Sequence, residues 1–389
     1  MIVAIRNLDT RHFNRLVLPL GPFVRIFPPV TIPPVTIPVA ECDQRLSISL
    51  VVPVYNGGRA FEKCVESLLA LSPAPDEVLI VDDGSTDGSP QFAHAVGFNV
   101  IPTPGRLGPG AARNLGVQHT AGDLIYFVDA DCSVIPNALD RFTKIFSSHP
   151  EVHAVIGSYD DSPSSKNLLS QYKNLLHHYT HQQSGAEGFT FWGACGVIRR
   201  EVFESLGGFD KSFTRPSIED IELGYRIRAS DGKIRICHDL QVKHHKTWGA
   251  VSLLHTDFFL RAIPWSRLII RSGKMENGLN TSHLARVRII LSGGIAACCI
   301  AGLVLPQMLL VGSLLILILL GCDWKTFSWF FQKRGLFFTL AIIPWHWFSH
   351  FYSGCGFLVA LVLHWLGPQM QSMQSNDEKT SHENGVQDV

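Results

Sequence analysis

The chain carries no charged residue between Ile289 and Cys322, and this limits the folds available to its C-terminal part. One crossing of a bilayer takes roughly 20 apolar residues, so this segment is long enough for more than one. Pro306 divides it, which predicts a transmembrane hairpin or one long helix over residues 289–322. Residues 336–366 are also apolar but contain Pro344, and we predict a transmembrane helix or a re-entrant pair there.

Basic residues flank these apolar segments, and basic flanks usually stay in the cytosol. We therefore expect a protein integral to the cell membrane, with its remaining domain facing the cytoplasm. A buried helical core of a soluble protein is the alternative. The flanking residues are Arg286, Arg288, Lys325, Lys333 and Arg334.

Composition excludes several classes of function. The net charge is +0, so nucleic acid is not an evident partner. The nine cysteines include no Cys-x-x-Cys pair, which fits neither a zinc site nor a disulfide framework and favours a reducing compartment.

Three further segments differ from the central part of the chain. Residues 1–45 are rich in proline and are expected to be extended or disordered, without a signal peptide. Residues 249–288 mix basic and aromatic side chains, as in an interfacial helix or a plain connecting helix. Residues 367–389 are polar and are expected to be disordered.

Residues 46–248 alternate between predicted strands and helices. Aliphatic runs predict four strands, and amphipathic stretches between them predict helices that end near Leu71 and His119. This alternation predicts an α/β domain with a mostly parallel central sheet and helices on both faces. The predicted strands are Ile48–Val54, Val78–Val81, Val100–Ile101 and Leu124–Val128.

Polar side chains follow these strands, where ligands of such sheets bind. Asp129 and Asp131 lie two residues apart after an apolar run, so on extended chain they share one side. Both stay ionised only beside a cation or strong donors, and Mg²⁺ or Mn²⁺ suits such oxygen ligands. An acidic surface turn is the alternative. Either Asp82 or Asp83 can accept hydrogen bonds from a nucleoside.

Four more positions can take part in the same site. Tyr55 can offer its ring to a base, and Arg113 can approach phosphates or the carboxylates themselves. Ser217 is a natural N-cap for a helix that opens with Glu219 and Asp220, and a carboxylate there can take a proton from an acceptor hydroxyl. His244 follows a later apolar stretch and can be a further metal ligand.

Taken together, these motifs resemble the family-2 inverting glycosyltransferases of GT-A fold, a Rossmann-like class, over residues 46 to about 245. The resemblance implies a nucleoside-diphosphate sugar donor, a divalent metal and inversion at the anomeric carbon. The motifs are Val51–Asn56, Val81–Asp87, Gly110–Asn114, Asp129–Asp131, Gly207–Asp210 and Glu219–Asp220.

The resemblance also implies roles for single residues. Asp220, with Glu219, becomes the catalytic base, and Asp131, with Asp129 and His244, becomes the metal and diphosphate ligand set, His245 being the alternative to His244. Pro53, Tyr55, Asp82, Asp83, Arg113 and Asp129 belong to the donor nucleotide site, and Trp192, Gly193 and Ala194 to the sugar and acceptor pocket.

Processive polysaccharide synthases of this family carry Gln-x-x-Arg-Trp after the base, whereas here the nearest tryptophan is Trp248. The chain therefore looks like a non-processive enzyme that adds one sugar, from UDP as the expected nucleotide, to a lipid or other membrane-associated acceptor. A nucleotidyltransferase or a non-catalytic membrane scaffold of the same fold are the alternatives.

Overall fold

The computed structural model describes residues 45–384, and the side chains of residues 45–366. The proline-rich segment 1–45 lies outside the described residues except for Arg45.

Within the described residues, one nine-stranded sheet forms the centre of the N-terminal domain, in the order β3-β2-β1-β4-β8-β6-β9-β5, with β7 paired to β9. The first four strands are parallel, and each overlaps a strand predicted from the sequence. The strands are β1 (Ile48–Val54), β2 (Glu77–Asp82), β3 (Asn99–Pro102), β4 (Leu124–Val128), β5 (Cys132–Val134), β6 (Ala154–Tyr159), β7 (Glu187–Gly188), β8 (Cys195–Arg199) and β9 (Ile234–His244).

Helices cover both faces of this sheet because both faces are apolar. Along β1, Leu50 and Val52 pack on one side with α1 and α4, whereas Val51 packs on the other with α3, α6 and α7, as the two-residue period of a strand requires. The predicted α/β fold class is confirmed. The helices are α1 (Gly58–Leu69), α2 (Ser89–Ala95), α3 (Pro109–Gln118), α4 (Ala138–Ser148), α5 (Leu168–Gln182), α6 (Arg200–Ser205) and α7 (Glu219–Ala229).

Helix α1 illustrates why these segments fold as they do. Phe61, Cys64, Val65 and Leu68 recur at helical spacing and are all buried against the sheet. Full burial of one such apolar side chain contributes roughly 1.5–3 kcal/mol.

The C-terminal region is helical. Two of its helices, α10 and residues Met308–Leu366 of α11, are long and apolar enough to cross a membrane by length and composition. Residues 302–307, with Pro306, connect them, and Gly335 breaks α11 with a φ of 79°. The segments are α8 (Ala250–His255), a π-helical segment (Thr256–Ala262), α9 (Ile263–Ser272), a 3₁₀ turn (Leu279–Thr281), α10 (His283–Ala301) and α11 (Met308–Asn384).

Two details differ from the sequence predictions. Backbone helix continues to Asn384, where a disordered polar tail was expected, because the chain has neither glycine nor proline between Gln369 and Asn384 to end it. Ser217 is not the N-cap of α7: Ile218 holds that position, and the Ser217 hydroxyl donates to the Leu260 carbonyl instead.

Side chains of the helical region contact the N-terminal domain directly. Lys333 pairs with Asp161 at 2.5 Å, and the Arg334 Nε donates to Gln171 Oε1 at 2.8 Å. The Tyr172 hydroxyl lies 2.9 Å from His346 Nδ1. Residues just before the Gly335 break therefore lie against the domain.

Candidate active site

The parallel strands bring the polar clusters together at one edge of the sheet. Strand β1 lies between β2 and β4, so the carboxyl ends of these strands bring together Tyr55 after β1, Asp82 at the end of β2 and Asp129 after β4. This edge is where open α/β sheets bind their ligands.

Antiparallel pairing adds the remaining segments to this edge. Cys195, the first residue of β8, pairs with Val128, which places Trp192, Gly193 and Ala194 beside Asp129. His244, the last residue of β9, pairs with Cys132, which places its ring beside Asp131. The acids and the imidazole therefore converge although they lie far apart in sequence.

Asp131 and His244 are the candidate metal ligands at this edge of the sheet. His244 Nε2 lies 3.5 Å from Asp131 Oδ2, and the ligand atoms of Asp131, Cys132 and His244 all lie within 4.8 Å of one another. Burial opposes ionisation of Asp131, but His244 and Lys246 hold the pKa of its carboxyl below the usual value. Burial raises the pKa of the Cys132 thiol, and Mg²⁺ and Mn²⁺ prefer oxygen and nitrogen ligands to sulfur.

The donor set fits a divalent cation. Ligand distances of about 2.1 Å place two neighbouring ligand atoms about 3 Å apart, close to the observed Asp131–His244 separation. A carboxylate oxygen with an imidazole nitrogen suits Mn²⁺ better than Mg²⁺, which prefers oxygen alone.

Both ring nitrogens of His245, the alternative ligand, already have hydrogen-bond partners. Its Nε2 lies 2.7 Å from the Ser133 hydroxyl, and its Nδ1 lies 2.6 Å from the Ser164 hydroxyl. His244 instead stacks on Tyr159, with ring centroids 4.3 Å apart, which leaves its Nε2 directed at Asp131. The geometry favours His244.

Arg113 links the acids of the site rather than standing free for a phosphate. This guanidinium, almost fully buried on α3, lies 2.5 Å from Asp129 Oδ1 and 3.3 Å from Glu219 Oε1. Its two partners lie directly after β4 and in the first turn of α7, so Arg113 fixes that turn of α7 against the sheet edge. A Cβ at Gly193 would lie 3.0 Å from the guanidinium, so glycine suits this position.

Asp220 is half-buried and oriented by backbone donors. The Gly193 N–H donates to its Oδ2 at 3.0 Å, and the Ile221 N–H donates to its Oδ1 at 2.8 Å. Burial and the neighbouring Glu219 carboxylate raise the pKa of Asp220 to about 6. A carboxylate of this pKa is ionised at neutral pH and basic enough to accept a proton.

The structure distinguishes the two acids after β2. Asp83 accepts from the Thr103 hydroxyl and from the N–H groups of Leu107 and Gly108, so both of its oxygens hold the loop before α3. Among the described residues, the Asp82 carboxylate accepts only from the Ser85 N–H, through Oδ1, which leaves Oδ2 for a ligand.

Two other predicted nucleotide contacts differ in accessibility. Tyr55 is 41% exposed, and the Arg106 guanidinium lies 3.9 Å from its ring centroid. Pro53 is buried within β1 opposite Val81, so it shapes the strand and does not face the site directly.

The sequence reasoning missed two aromatic residues of the site. Tyr159 ends β6 beside His244. A tyrosine at the end of an apolar strand is the same sequence signal that marks Tyr55. His177 on α5 lies between Tyr159 and Trp192, with ring centroids 4.4 and 4.6 Å away. Nothing in its local sequence marks His177, because α5 contains several histidines.

Comparison with known proteins gives consistent results. Residues 49–207 match the family described as Glycosyl transferase family 2. An N-acetylglucosaminyl-diphospho-decaprenol L-rhamnosyltransferase of Mycobacterium tuberculosis (strain ATCC 25618 / H37Rv) is 27% identical over 234 residues, which cover 51% of this chain and 76% of that protein. The protein named "Putative glycosyltransferase EpsH", of Bacillus subtilis (strain 168), is 33% identical over 60% of this chain and 66% of its own length.

Among solved structures, the mannosyltransferase PcManGT of Pyrobaculum calidifontis, in complex with GDP-Man and Mn²⁺, aligns over 83% of this chain and 92% of that chain. Its TM-score is 0.49 and the sequence identity is 18%.

Proposed function

The chain belongs to glycosyltransferase family 2, and we propose that it moves one sugar from a nucleoside-diphosphate sugar to an acceptor hydroxyl with inversion. The observation that carries this proposal is the position of Asp220, a carboxylate of raised pKa held at the sheet edge by the N–H of Gly193. The transfer is non-processive, since the Gln-x-x-Arg-Trp motif is missing near Trp248.

In this mechanism Asp220 is the base. The acceptor oxygen attacks the anomeric carbon while its proton passes to Asp220, and the bond from that carbon to the diphosphate oxygen breaks on the opposite face. The Gly193 and Ile221 N–H groups fix the carboxylate orientation. Glu219 supports it indirectly, through the charge that raises the pKa of Asp220 and through its pairing with Arg113.

Asp131 and His244, with Asp129 as the further ligand, would hold the divalent cation, Mn²⁺ or Mg²⁺, which offsets the charge that builds on the departing diphosphate. Asp129 remains tied to Arg113 through one oxygen, so its free oxygen is the one available. Asp82 and the exposed face of Tyr55 would hold the nucleoside. UDP is the proposed nucleotide: the free Asp82 oxygen can accept from the ring N–H of uracil, which thymine and guanine also offer, so the donor panel decides between UDP, dTDP and GDP.

The acceptor in this proposal is a lipid or another membrane-associated molecule. Two observations support it: the apolar helices α10 and α11, and the lipid diphosphate in the name of the mycobacterial relative.

We place the catalytic domain in the cytoplasm at the cell membrane, where nucleotide sugars are made. A reporter fused near residue 328 is expected to be cytosolic, since Lys333 and Arg334 contact the domain; an extracytoplasmic signal would reverse this orientation.

The direct test of activity is a donor panel. Detergent-solubilised protein with Mn²⁺ or Mg²⁺ and membrane lipid extract is expected to release nucleoside diphosphate from one of a set of UDP-, GDP- and dTDP-sugars. Release of pyrophosphate from a nucleoside triphosphate instead would indicate a nucleotidyltransferase. Folded protein that turns over no donor would indicate a scaffold.

The pKa of Asp220 predicts the pH dependence. Asp220 must be ionised to accept a proton, so kcat/KM is expected to fall below pH about 6 and to level off above it. The Glu219→Gln variant removes the charge that raises this pKa, so its acid limb should move to lower pH. Rates measured from about pH 5 to pH 8 check both points. An acid limb at the same pH in both proteins would contradict the assignment of Asp220.

A further inference from the structure

A cavity of about 1100 Å³ lies between the N-terminal domain and the C-terminal helices, apart from the residues of the candidate active site. Its walls come from α5, the π-helical segment, α9, residues 275–282, α10 and the parts of α11 before and after Gly335. At this size it holds a ligand much larger than a monosaccharide.

Most of this lining is apolar. Side chains such as Leu176, Phe189, Ile269, Leu284 and Phe357 face the cavity. The wall includes parts of α10 and α11, the helices long enough to cross a membrane, so an apolar molecule dissolved in a bilayer could enter along them.

The charged residues of the lining are mostly basic. Asp257 pairs with both Lys173 and Arg261, and Glu187 pairs with Arg228 outside the cavity. Arg288 pairs with Asp323 at 2.7 Å.

Two other cations of the lining have no carboxylate partner among the described residues. Arg286 donates only to backbone carbonyls, at 3.0–3.2 Å, and Lys325 makes no described hydrogen bond or ion pair. Arg286 is half-buried and Lys325 is exposed at the cavity, so both can form a charge-assisted hydrogen bond to an anionic group on an apolar ligand.

The cavity shares a wall with the catalytic helix α7. The Leu260 carbonyl of the π-helical segment accepts from the Ser217 hydroxyl at 2.8 Å, three residues before Asp220. Trp265, on the cavity wall, donates through Nε1 to the Tyr225 hydroxyl of α7 at 3.3 Å. One layer of chain therefore separates the cavity from the residues around the base.

From these contacts we infer that the cavity binds the phosphate-bearing end of a lipid, with Arg286 and Lys325 facing the phosphate, and that this lipid is the acceptor. The statement that this lipid is the acceptor rests on the proposed function. The statement that the cavity binds a lipid phosphate does not. In this arrangement the lipid tail lies along α10 and α11. The part of the lipid that carries the acceptor hydroxyl passes the π-helical segment and reaches Asp220.

A matched pair of glycine variants tests the volume of the cavity. A Cβ at Gly293 or at Gly321 would meet no described atom within 4 Å, but only Gly293 lines the cavity. Gly293→Trp is expected to fill the cavity, whereas Gly321→Trp places the same side chain elsewhere on the helices. Lys325→Met removes the unpaired charge, and Lys144→Met on α4 is its control.

The binding probe is geranylgeranyl monophosphate in detergent micelles, compared with geranylgeraniol and with inorganic phosphate. The wild type is expected to bind the lipid phosphate and to bind the alcohol about tenfold more weakly or worse, since a charge-assisted hydrogen bond contributes about 1.5–3 kcal/mol. Inorganic phosphate alone should not bind. Gly293→Trp should lose binding and Lys325→Met should weaken it, while both controls bind as the wild type does.

Equal binding of geranylgeranyl monophosphate and geranylgeraniol would overturn the inference. Wild-type binding of geranylgeranyl monophosphate by Gly293→Trp would overturn it too. So would saturable binding of inorganic phosphate alone, because the site would then recognise a free anion. Nucleoside diphosphate release by the wild type is recorded in parallel. Its absence would speak against the proposed function, whereas turnover with an unchanged acceptor KM in Gly293→Trp would speak against the cavity only.

Discussion

Replacing Asp220 by Asn is expected to slow glycosyl transfer by roughly 10²- to 10⁴-fold, the usual contribution of a general base. The amide keeps an oxygen that can accept from the Gly193 or Ile221 N–H, but it cannot take the proton of the acceptor hydroxyl. The donor KM should change little, because Asp220 is not placed at the nucleotide. Initial rates of nucleoside diphosphate release, with lipid extract as acceptor, measure this effect.

Asp231→Asn is the matched control. Asp231 follows the other end of α7 and has a φ of 60°, which asparagine tolerates as well as aspartate does. This variant should retain the wild-type rate. If Asp220→Asn were as active as Asp231→Asn, another group would have to be the base.

Asp131→Asn is expected to lower turnover by about a hundredfold or more, because the charge stabilisation supplied by a metal amounts to several kcal/mol. The substitution removes the ionised oxygen that faces His244 at 3.5 Å and leaves the size of the side chain unchanged. Mn²⁺ should bind more weakly in the variant, which a titration of the protein with Mn²⁺ measures independently of activity. In the wild type, a chelator should abolish turnover and added Mn²⁺ should restore it.

Asp239→Asn serves as the control for the charge change. Asp239 is largely exposed and lies on β9, the strand that ends with His244, so it shares the strand but not the site. Metal titration and rate should match the wild type. Full activity of Asp131→Asn, or wild-type activity in the presence of chelator, would contradict a metal held by Asp131 and His244.

The parallel half of the sheet could be predicted from the sequence because short, contiguous stretches of residues determine its strands and helices. Runs of aliphatic residues such as Ile48–Val54 fit only a buried strand, and the helices between them make parallel neighbours necessary. Once the strands are placed, the acids that follow them must share an edge. This is why Asp82, Asp129 and Asp131 could be assigned to one site without coordinates.

The rest of the site depends on pairings between distant segments. The antiparallel pairing of β8 with β4 places Gly193 at this edge, and the antiparallel pairing of β9 with β5 places His244 beside Asp131; no local pattern encodes either pairing. The choices between His244 and His245, and between Asp82 and Asp83, depend on which neighbours already use their polar atoms. The cavity is likewise a product of how α5 meets α10 and α11.

Ser217 shows the limit of a local rule. A serine before two acids usually caps a helix, but here its hydroxyl bonds to Leu260, and the Glu219 carboxylate accepts from the Ser217 N–H. The tertiary contact with the π-helical segment overrides the capping preference.

The most direct test of the central claim is the anomeric configuration of the product. Once the donor panel names an α-linked nucleotide sugar, the glycolipid formed by the solubilised protein can be isolated and its anomeric proton coupling measured by NMR. A single displacement with Asp220 as base predicts a β-linked product. An α-linked product, or transfer of the nucleotide instead of the sugar, would contradict it.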